Sequence, residues 1–341
     1  MSNHPTATMR AMVLTAPNAA FVSSTVARPT PRAGEVLVRI QASGVNPLDT
    51  KIRAGKAEHA RHPLPGVLGM DLAGTVEAVG PQVEGFKPGD EVYGFTGGIG
   101  GLQGSLAEFA AVDSQLLARK PANISMREAA ALPLVVITAW EGLVDRARLG
   151  PGQRVLIHGG AGGVGHVSVQ IARALGAEVF ATGSAGQAAY IRSLGATPID
   201  HATTPVEEYL ARHTEGKGFD VVYDTVGGPV LDASFLAVRR YTGHVLSCLG
   251  WGTHALAPLS FRGASYSGVF TLLPILTGEG RAHHGEILAQ ATALIERGLL
   301  MPRMDPQHFT LDTVEAAHAR VTSGQALGKV VVDVSADAGT R

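Results

Sequence analysis

The stretch 156–165, LIHGGAGGVG, places five glycines among ten residues. An apolar segment, RVLIH, precedes it and a helical pattern, VGHVSVQIARALG, follows it, so the glycines are expected to join a strand to a helix. Gly160, Gly162 and Gly165 match G-x-G-x-x-G. In this motif the first glycine makes the turn, the second lets a pyrophosphate approach the backbone, and the third lets the helix pack on the strand. The pattern predicts a dinucleotide site at the helix N-terminus, where free N–H groups favour anions; a tight turn without a ligand is the alternative.

The segment that follows this helix bears on which dinucleotide would bind. A site for NAD usually carries a carboxylate about 20 residues after the glycine motif, which bonds the ribose 2′-OH. Here the strand EVFATG ends on Gly183 and Ser184, with no carboxylate. A 2′-phosphate would meet no repulsion there, Ser184 could donate a hydrogen bond, and Arg192 lies one helix later. The sequence favours NADP; in the alternative, Gly183 and Ser184 form only a turn and the site accepts both dinucleotides.

The chain has 341 residues, a length that suggests two domains. The sequence pattern predicts the strands and helices that position the glycine loop. Residues 1–8 are expected to be a disordered leader, and short strands with glycine and proline turns fill the next hundred or so residues. From about Ser125, which forms a capping-box pattern with Glu128, apolar strands alternate with helices, as in a parallel sheet covered on both faces. From about 265, strand-like SYSGVFTLL, two helices and the strand LGKVVVDV form a tail that could return to the first domain.

Composition argues against several classes of protein. The formal net charge is -1 and aromatic residues make up 5% of the chain, which disfavours a nucleic-acid partner. The single cysteine, Cys248, excludes internal disulfides and any site with several cysteine ligands, and its apolar neighbours predict a core position. We expect no secretory signal, because the N-terminal residues MSNHPTATMR are polar. No apolar run reaches the ~20 residues that span a bilayer. We expect a soluble, cytoplasmic protein without a membrane partner.

Several segments, in this order along Met9 to Val334, resemble one superfamily. They are ASGVNPLDTKIRAG (42–55), LPGVLGMDLAGTVEAVG (64–80), FKPGDEVYGF (86–95), GSLAEFAAVD (104–113), ALPLVVITAWEGL (131–143), AGGVGHVSVQIARALGAEVFAT (161–182), FDVVYDTVGG (219–228) and ALGKVVV (326–332). Together with the glycine motif they resemble the medium-chain dehydrogenase/reductase superfamily, and within it the zinc-independent quinone oxidoreductases related to zeta-crystallin.

The resemblance implies an α/β architecture in two parts. A GroES-like, β-rich catalytic domain would cover 9–128 and a doubly wound, parallel-sheet Rossmann domain 129–264. Residues 265–341 would supply edge strands of the Rossmann sheet and return to the catalytic domain. The active site would lie in the cleft between the domains. Members are commonly homodimers or homotetramers, often joined through the edge strand at which SYSGVFTLL stands.

The resemblance also decides the metal question position by position. Zinc-dependent relatives carry ligands where this chain has Asn46, Met70 and Leu134. A catalytic zinc needs about three protein ligands with nitrogen, sulfur or oxygen donors of suitable chemistry, whereas these positions offer an amide, a thioether and an alkyl group. We therefore expect no zinc.

Without a metal to hold an alkoxide, the accessible reaction is hydride transfer to an already polarised acceptor, a quinone or an α,β-unsaturated carbonyl. Such a site needs hydrogen-bond donors and a proton source. Asn46 could donate its amide N–H to a developing oxyanion, or could only cap the turn before Pro47. Asp49 would orient that loop. Lys51, where many quinone oxidoreductases carry tyrosine, could donate a proton or be a solvated surface residue, and Thr138 could orient the nicotinamide or only bond within its own helix.

Two residues depart from NADPH-using relatives in the predicted cofactor site. Gln187 stands where a lysine often meets the 2′-phosphate, and His201 where a tyrosine often follows the third Rossmann strand, so NADH remains an alternative to NADPH. We also assign to this site Gly163, Val164, Leu249 and Lys329.

Three functions remain open at this point. The first is an NADPH-dependent, zinc-independent reductase of quinones or α,β-unsaturated carbonyls. The second is a reductase of enoyl thioesters or other carbonyls on the same scaffold. The third is a low-turnover NADPH-binding redox sensor.

Overall fold

The structure, a computed structural model, describes residues 7–335. Contacts between residues divide the chain into two compact units. Of the described residues, the first unit comprises 7–134, 272–296 and 302–335, and the second comprises 135–271 and 297–301.

The strands provide the sheets of both units. In chain order they are β1 (Thr8–Leu14), β2 (Phe21–Ala27), β3 (Glu35–Val45), β4 (Gly66–Val67), β5 (Asp71–Val79), β6 (Glu91–Phe95), β7 (Phe109–Asp113), β8 (Leu117–Arg119), β9 (Arg154–Ile157), β10 (Glu178–Gly183), β11 (Thr197–Asp200), β12 (Val221–Asp224), β13 (His244–Ser247), β14 (Ser265–Gly268), β15 (Phe309–Thr310) and β16 (Val330–Asp333).

The helices alternate with strands mainly in the middle of the chain. In chain order they are α1 (Pro47–Arg53), α2 (Met126–Ala130), α3 (Pro133–Trp140), α4 (Gly163–Ala174), α5 (Ala188–Ser193), α6 (Val206–Thr214), α7 (Pro229–Ala237), α8 (Ala257–Ser260), α9 (Leu273–Thr277), α10 (Arg281–Glu296) and α11 (Val314–Thr322). Short 3₁₀ turns occupy Glu58–Ala60, Ser114–Leu116, Ala185–Gln187 and Leu311–Thr313, and a π-helical turn occupies Glu141–Arg146.

The first unit is built on β3, an eleven-residue strand that is largely buried. It lies in a sheet of order β15-β16-β3-β5-β6-β8, with β7 also paired to β3, while β2-β1-β4 form a smaller sheet. β16 runs antiparallel to β3 with Val330 opposite Val45, and β5 runs antiparallel to it with Asp71 opposite Gly44. The end of β3 and the starts of β5 and β16 therefore meet at one end of the sheet.

The second unit contains one all-parallel sheet of order β11-β10-β9-β12-β13-β14. Numbered from β9 as the first strand, this is the doubly wound order 3-2-1-4-5-6, in which the strand order reverses between β9 and β12. Apolar side chains on the sheet and its helices form the core, among them Phe180, Phe219 and Phe235. The α/β fold class, with a GroES-like part and a Rossmann part, is confirmed.

Local sequence signals explain several boundaries. Ser125 caps α2, because its Oγ accepts from the Glu128 N–H at 3.2 Å while the Glu128 carboxylate accepts from the Ser125 N–H at 2.8 Å. α4 ends before Gly176, whose φ of 82° suits only glycine well. Among residues 7–335, no helix combines the length and apolar composition needed to cross a membrane.

Some sequence expectations are corrected. Of the predicted leader, residues 1–6 lie outside the described residues, but Thr8 already belongs to β1. Residues 129–134 group with the first unit, in which α2 packs on β3 and β5. SYSGVFTLL is a strand only over Ser265–Gly268, since the chain turns into α9, with proline in its first turn. The sequence reading did not predict β11 and α6.

Candidate functional site

The turn of the glycine loop is made by a different glycine from the predicted one. Gly159, immediately before the motif, has φ of 72°, a conformation that residues with a side chain rarely adopt. Gly160 instead needs space, because a Cβ there would lie 2.5 Å from the Cβ of Ala181 on β10. Gly160 therefore allows close packing on the neighbouring strand, which corrects its assignment as the turn residue.

The other glycines of the motif let the helix α4 approach the loop closely and leave its first residues exposed. A Cβ on Gly165 would lie 2.0 Å from the carbonyl oxygen of Gly159, so only glycine lets the helix come this close to the loop. Gly162 precedes α4 as its N-cap, and both Gly162 and Gly163 are exposed, while Val164 is half-buried. The first N–H groups of a helix lack partners within it, so an anion can bind here.

A buried polar network that the sequence reading missed holds the segment that follows β12. Asp224, at the end of β12, accepts hydrogen bonds from the N–H groups of Val226 and Gly227 at 3.0 and 2.9 Å and from the Ser247 hydroxyl at 2.7 Å. His158 lies before the glycines, and burial lowers the pKa of its imidazole to about 4, so it is neutral at physiological pH. An aspartate followed by Gly-Gly at a strand end, as in FDVVYDTVGG, was the available signal.

A groove in the second unit brings together residues predicted to meet the 2′-phosphate. Ser184, at the end of β10, and Arg192, on α5, line a cavity of about 430 Å³. Within residues 7–335, the Arg192 side chain makes no hydrogen bond or ion pair. Arg212 also lines the groove but pairs with Glu208 at 2.6 Å, and Asp200 contributes one carboxylate. Arg192 is thus the cation available to an anion there.

The remaining predicted cofactor residues in this unit have backbone or packing roles in the structure. A Cβ on Gly183 would lie 2.6 Å from Ile191 Cδ1. The Gln187 side-chain oxygen accepts from the Ser184 N–H at 3.0 Å. The His201 N–H donates to the Gly183 carbonyl at 3.1 Å, and its side chain is exposed. Leu249 is half-buried.

Thr138 lies in a buried group of hydroxyls in the second unit. Its Oγ1 is 3.0 Å from Thr271 Oγ1, which in turn donates to Glu141 Oε2 at 3.2 Å. The Tyr223 hydroxyl donates to the Thr138 carbonyl at 2.7 Å. Thr138 therefore forms hydrogen bonds with residues outside its own helix, and Thr271 and Tyr223 together fix its position.

In the first unit, Asn46 is held between a cation and an anion. Its side-chain Nδ2 donates to Asp71 Oδ2 at 2.8 Å, and its Oδ1 accepts a hydrogen bond from the Lys329 ammonium. The second oxygen of Asp71 accepts from the Leu134 N–H at 2.9 Å. Asn46, Asp71 and Lys329 are all at least 95% buried, with Lys329 the most exposed at 5%. Lys329, assigned from sequence to the cofactor site, thus contacts Asn46.

Asp49 completes this buried cluster from the first turn of α1. Its Oδ2 accepts from the Asn46 N–H at 2.8 Å, which fixes the start of this loop. Burial raises the pKa of Asp49 to about 7 and that of Asp71 to about 6. Burial also lowers the pKa of Lys329, against the attraction of the two carboxylates.

Lys51 lies two residues further along α1 but is exposed. Within the described residues, its ammonium makes neither a hydrogen bond nor an ion pair. It is therefore free to meet a ligand or solvent.

The residues at the three metal-ligand positions do not fit zinc. The amide oxygen of Asn46 accepts a hydrogen bond from Lys329, and Met70 is fully buried. Leu134 has an alkyl side chain, and its backbone N–H donates a hydrogen bond to Asp71. In the part of the chain from 7 to 335, no three His, Cys, Asp or Glu side chains are grouped to hold a metal ion.

Two family assignments cover most of the chain. Residues 32–122 match the alcohol dehydrogenase GroES-like domain, and residues 194–332 match the zinc-binding dehydrogenase family. The second description names zinc, although the ligand positions of this chain do not carry zinc-binding side chains.

Of three similar proteins, two are a reductase and an oxidoreductase by name, and the third is part of a polyketide synthase system. The chain is 38% identical to 2-methylene-furan-3-one reductase of Solanum lycopersicum, over 91% of this chain and 74% of that protein. It is 34% identical to the chloroplastic NADPH-dependent alkenal/one oxidoreductase of Arabidopsis thaliana, over 91% and 75%. It is 35% identical to the spectinabilin polyketide synthase system protein NorB of Streptomyces orinoci, but spans only 14% of that much longer protein.

Solved structures extend the likeness to the whole fold. An alcohol dehydrogenase superfamily protein from Novosphingobium aromaticivorans is 59% identical with a TM-score of 0.94, covering 96% of this chain and 100% of that one. The quinone oxidoreductase from Coxiella burnetii is 26% identical with a TM-score of 0.80, covering 96% and 100%. The chain therefore belongs to the medium-chain dehydrogenase/reductase superfamily and is an oxidoreductase whose relatives include quinone and alkenal oxidoreductases.

Proposed function

We propose that this protein is an NADPH-dependent reductase of α,β-unsaturated carbonyl compounds, with quinones as alternative acceptors. The observation that carries the proposal is the buried amide of Asn46, held by Asp71 and Lys329 at a position where a metal ligand would otherwise be needed. An amide donor suits an acceptor that becomes an enolate or hydroquinone anion, whereas oxidation of a simple alcohol requires stronger stabilisation of an alkoxide.

The residues of the chain would divide the work as follows. NADPH, when bound, supplies the hydride for the electrophilic carbon. The amides at the start of α4, next to Gly162 and Gly163, would bind its pyrophosphate, and Arg192 its 2′-phosphate. Asn46 would donate an N–H to the acceptor oxygen as negative charge develops there. The exposed ammonium of Lys51 would return a proton to the product.

Two of the named relatives favour an enone over a quinone. The Arabidopsis relative is an NADPH-dependent alkenal/one oxidoreductase, and the tomato relative is a 2-methylene-furan-3-one reductase. The similarity to a polyketide synthase subunit favours, as a second candidate, an enoyl thioester as acceptor, because thioester and ketone carbonyls place the same demand on Asn46.

The test is the oxidation of NADPH by the purified, chelator-treated protein. We expect turnover with 3-buten-2-one that exceeds turnover with 1,4-benzoquinone and with a crotonyl thioester, and that falls when NADH replaces NADPH. Preference for the thioester would establish the second candidate. Tight NADPH binding without turnover of any of the three acceptors would contradict both and would favour a redox sensor.

We also propose a homodimer that forms through β14. This strand is the edge of the parallel sheet and pairs with β13 on one side only among the described strands. Nearby apolar side chains are exposed, Phe261 by 85% and Trp251 by 50%. An unpaired edge with exposed aromatic residues suits a second copy of the same chain. Light scattering after size-exclusion chromatography should give twice the mass of the chain, and Ser267→Pro should reduce it to that of a monomer.

A further inference from the structure

The hydrogen bonds of Asn46 leave its amide with one orientation. An ammonium can only donate and an ionised carboxylate can only accept, so Oδ1 must face Lys329 and Nδ2 must face Asp71. Exchange of the oxygen and nitrogen would set donor against donor and acceptor against acceptor. The side chain therefore cannot flip without breaking both bonds.

The burial of these charged partners of Asn46 is costly in free energy. Apolar side chains at the same positions would allow the chain to fold equally well. Lys329 and Asp71 are 5% and 0% exposed, so their charges are withdrawn from water. Replacing a buried ion pair by apolar side chains is often neutral or stabilising, so the pair is not explained by stability alone. A role that uses the charge is a better explanation of this arrangement.

The charge has a direct effect on the donor strength of Asn46. A cation bonded to the amide oxygen draws electron density from the amide, and linked hydrogen bonds in a medium of low dielectric strengthen one another. Nδ2 carries two hydrogens, of which Asp71 takes one. The second is the one that the proposed function assigns to the acceptor oxygen.

We propose that Lys329 and Asp71 are positioning residues for the reaction, which act through Asn46. Lys329 polarises the Asn46 amide and, with Asp71, directs its free N–H to the acceptor oxygen. The fold explains how residues so distant in sequence meet: Lys329 directly precedes β16 and Asn46 directly follows β3, and these strands are paired with Val330 opposite Val45. This inference rests on the proposed reductase function.

The test is a double-mutant cycle on enone reduction by the full-length protein. Lys329→Met should lower kcat about tenfold to a hundredfold, less than the loss typical of deleting an oxyanion donor itself, with little change in the dissociation constant of NADPH. In an Asn46→Ala background, Lys329→Met should cause at most a twofold further loss. Lys329→Gln, which can still donate to Asn46 Oδ1 without a charge, should lie between the wild type and Lys329→Met.

Lys120 provides a matched control for loss of a buried lysine. Its side chain is 6% exposed, and its ammonium donates to the carbonyl oxygen of Ile124 at 2.7 Å and pairs with Glu91 at 3.2 Å. Lys120→Met should lower the melting temperature but leave kcat unchanged.

Equal losses from Lys329→Met in the two backgrounds, with an active wild-type protein, would overturn this inference while the reductase function stands. If Lys329→Met does not fold, Lys329→Gln in both backgrounds gives the same comparison. A wild-type protein that reduces no enone, quinone or thioester would overturn the proposed function and this inference together.

Discussion

Lys329 donates a hydrogen bond to the side chain of Asn46, 283 residues earlier in the chain. The contact joins the last strand of the first unit to the loop after its central strand, so the C-terminal segment contributes directly to the candidate active site. The Lys329 ammonium supplies a positive charge beside Asn46 without a bound metal. It polarises the amide of Asn46 and fixes its orientation. The predictions below start from this contact.

Asn46→Ala should impair catalysis more than binding. Loss of the amide removes the N–H that we assign to the acceptor oxygen, and removal of one such donor typically costs about 10²–10³ in kcat. Initial rates with 3-buten-2-one give kcat, and quenching of protein fluorescence gives the dissociation constant of NADPH, which should change less than about threefold. Asn123→Ala is the control, because Asn123 also bonds through its amide, to the Ile295 carbonyl at 2.9 Å. Equal effects of the two substitutions would remove Asn46 from the mechanism.

Asp49 should make the folded state less stable as the pH rises toward neutrality. Burial raises the pKa of its carboxyl from 3.8 to about 7. Between about pH 4 and pH 7 the folded state keeps a proton that the unfolded chain releases, so the free energy of unfolding falls as the pH rises through this window. The raised pKa of Asp71, about 6, adds to the fall.

Asp49→Asn should therefore flatten the pH dependence of stability. Asparagine keeps an oxygen that can accept from the Asn46 N–H but does not titrate. Urea unfolding at about pH 5 and about pH 7 should show a smaller difference in the variant than in the wild type. Asp312→Asn removes a carboxyl that is 72% exposed and should leave the difference unchanged. An unchanged slope in Asp49→Asn would mean that Asp49 is ionised throughout.

The order of strand, glycine loop and helix was predictable from sequence, since these elements are contiguous in the chain. The capping box of Ser125 and Glu128 was predictable for the same reason. The packing role of Gly160 was not predictable from sequence, because it depends on Ala181, a residue of the neighbouring strand. Local motifs thus indicated the site, and the packing of β10 decided the use of each glycine.

Long-range pairing limited the rest of the sequence reading. Lys329 could be read as a cofactor residue because nothing local shows that β16 pairs with β3 and brings it to Asn46. Asp71 follows Met70 in GMD, yet its bonds to Asn46 and Leu134 come from distant segments. The strand β11 was not predicted, because it is short and weakly apolar. Its four residues are TPID, and the residues on either side of them resemble a turn.

Gly165→Ala should destabilise the second unit and weaken NADPH binding. The added methyl group would meet the Gly159 carbonyl oxygen at 2.0 Å, and backbone cannot move aside as a side chain can. Overpacking of this kind costs about 1–3 kcal/mol, and the displaced helix start would no longer present its N–H groups to the pyrophosphate. Thermal unfolding and NADPH titration measure the two effects. Gly150→Ala, where the nearest atom to the new Cβ is at 3.8 Å, should show neither.

Lys51→Met should lower kcat about tenfold or more if its ammonium returns the proton, a contribution typical of a positioned acid. Lys56→Met is the control, since Lys56 is an exposed lysine of the same segment. A solvent isotope effect on kcat should increase in Lys51→Met, because proton transfer would then come from water. If the two variants behave alike, Lys51 is a solvated surface residue and water is the acid in the wild type.

Arg192 should determine the preference for NADPH over NADH. Its guanidinium lines the groove beside Ser184 and forms no hydrogen bond or ion pair within residues 7–335, so it is available to a 2′-phosphate. Arg192→Gln should raise KM for NADPH about tenfold to a hundredfold and leave KM for NADH unchanged, because a charge-assisted hydrogen bond contributes about 1.5–3 kcal/mol. Arg240→Gln removes an exposed arginine of the same unit that does not line the groove, and it should alter neither constant. Equal increases for both cofactors would instead place Arg192 at the adenosine or pyrophosphate and leave the preference unexplained by this groove.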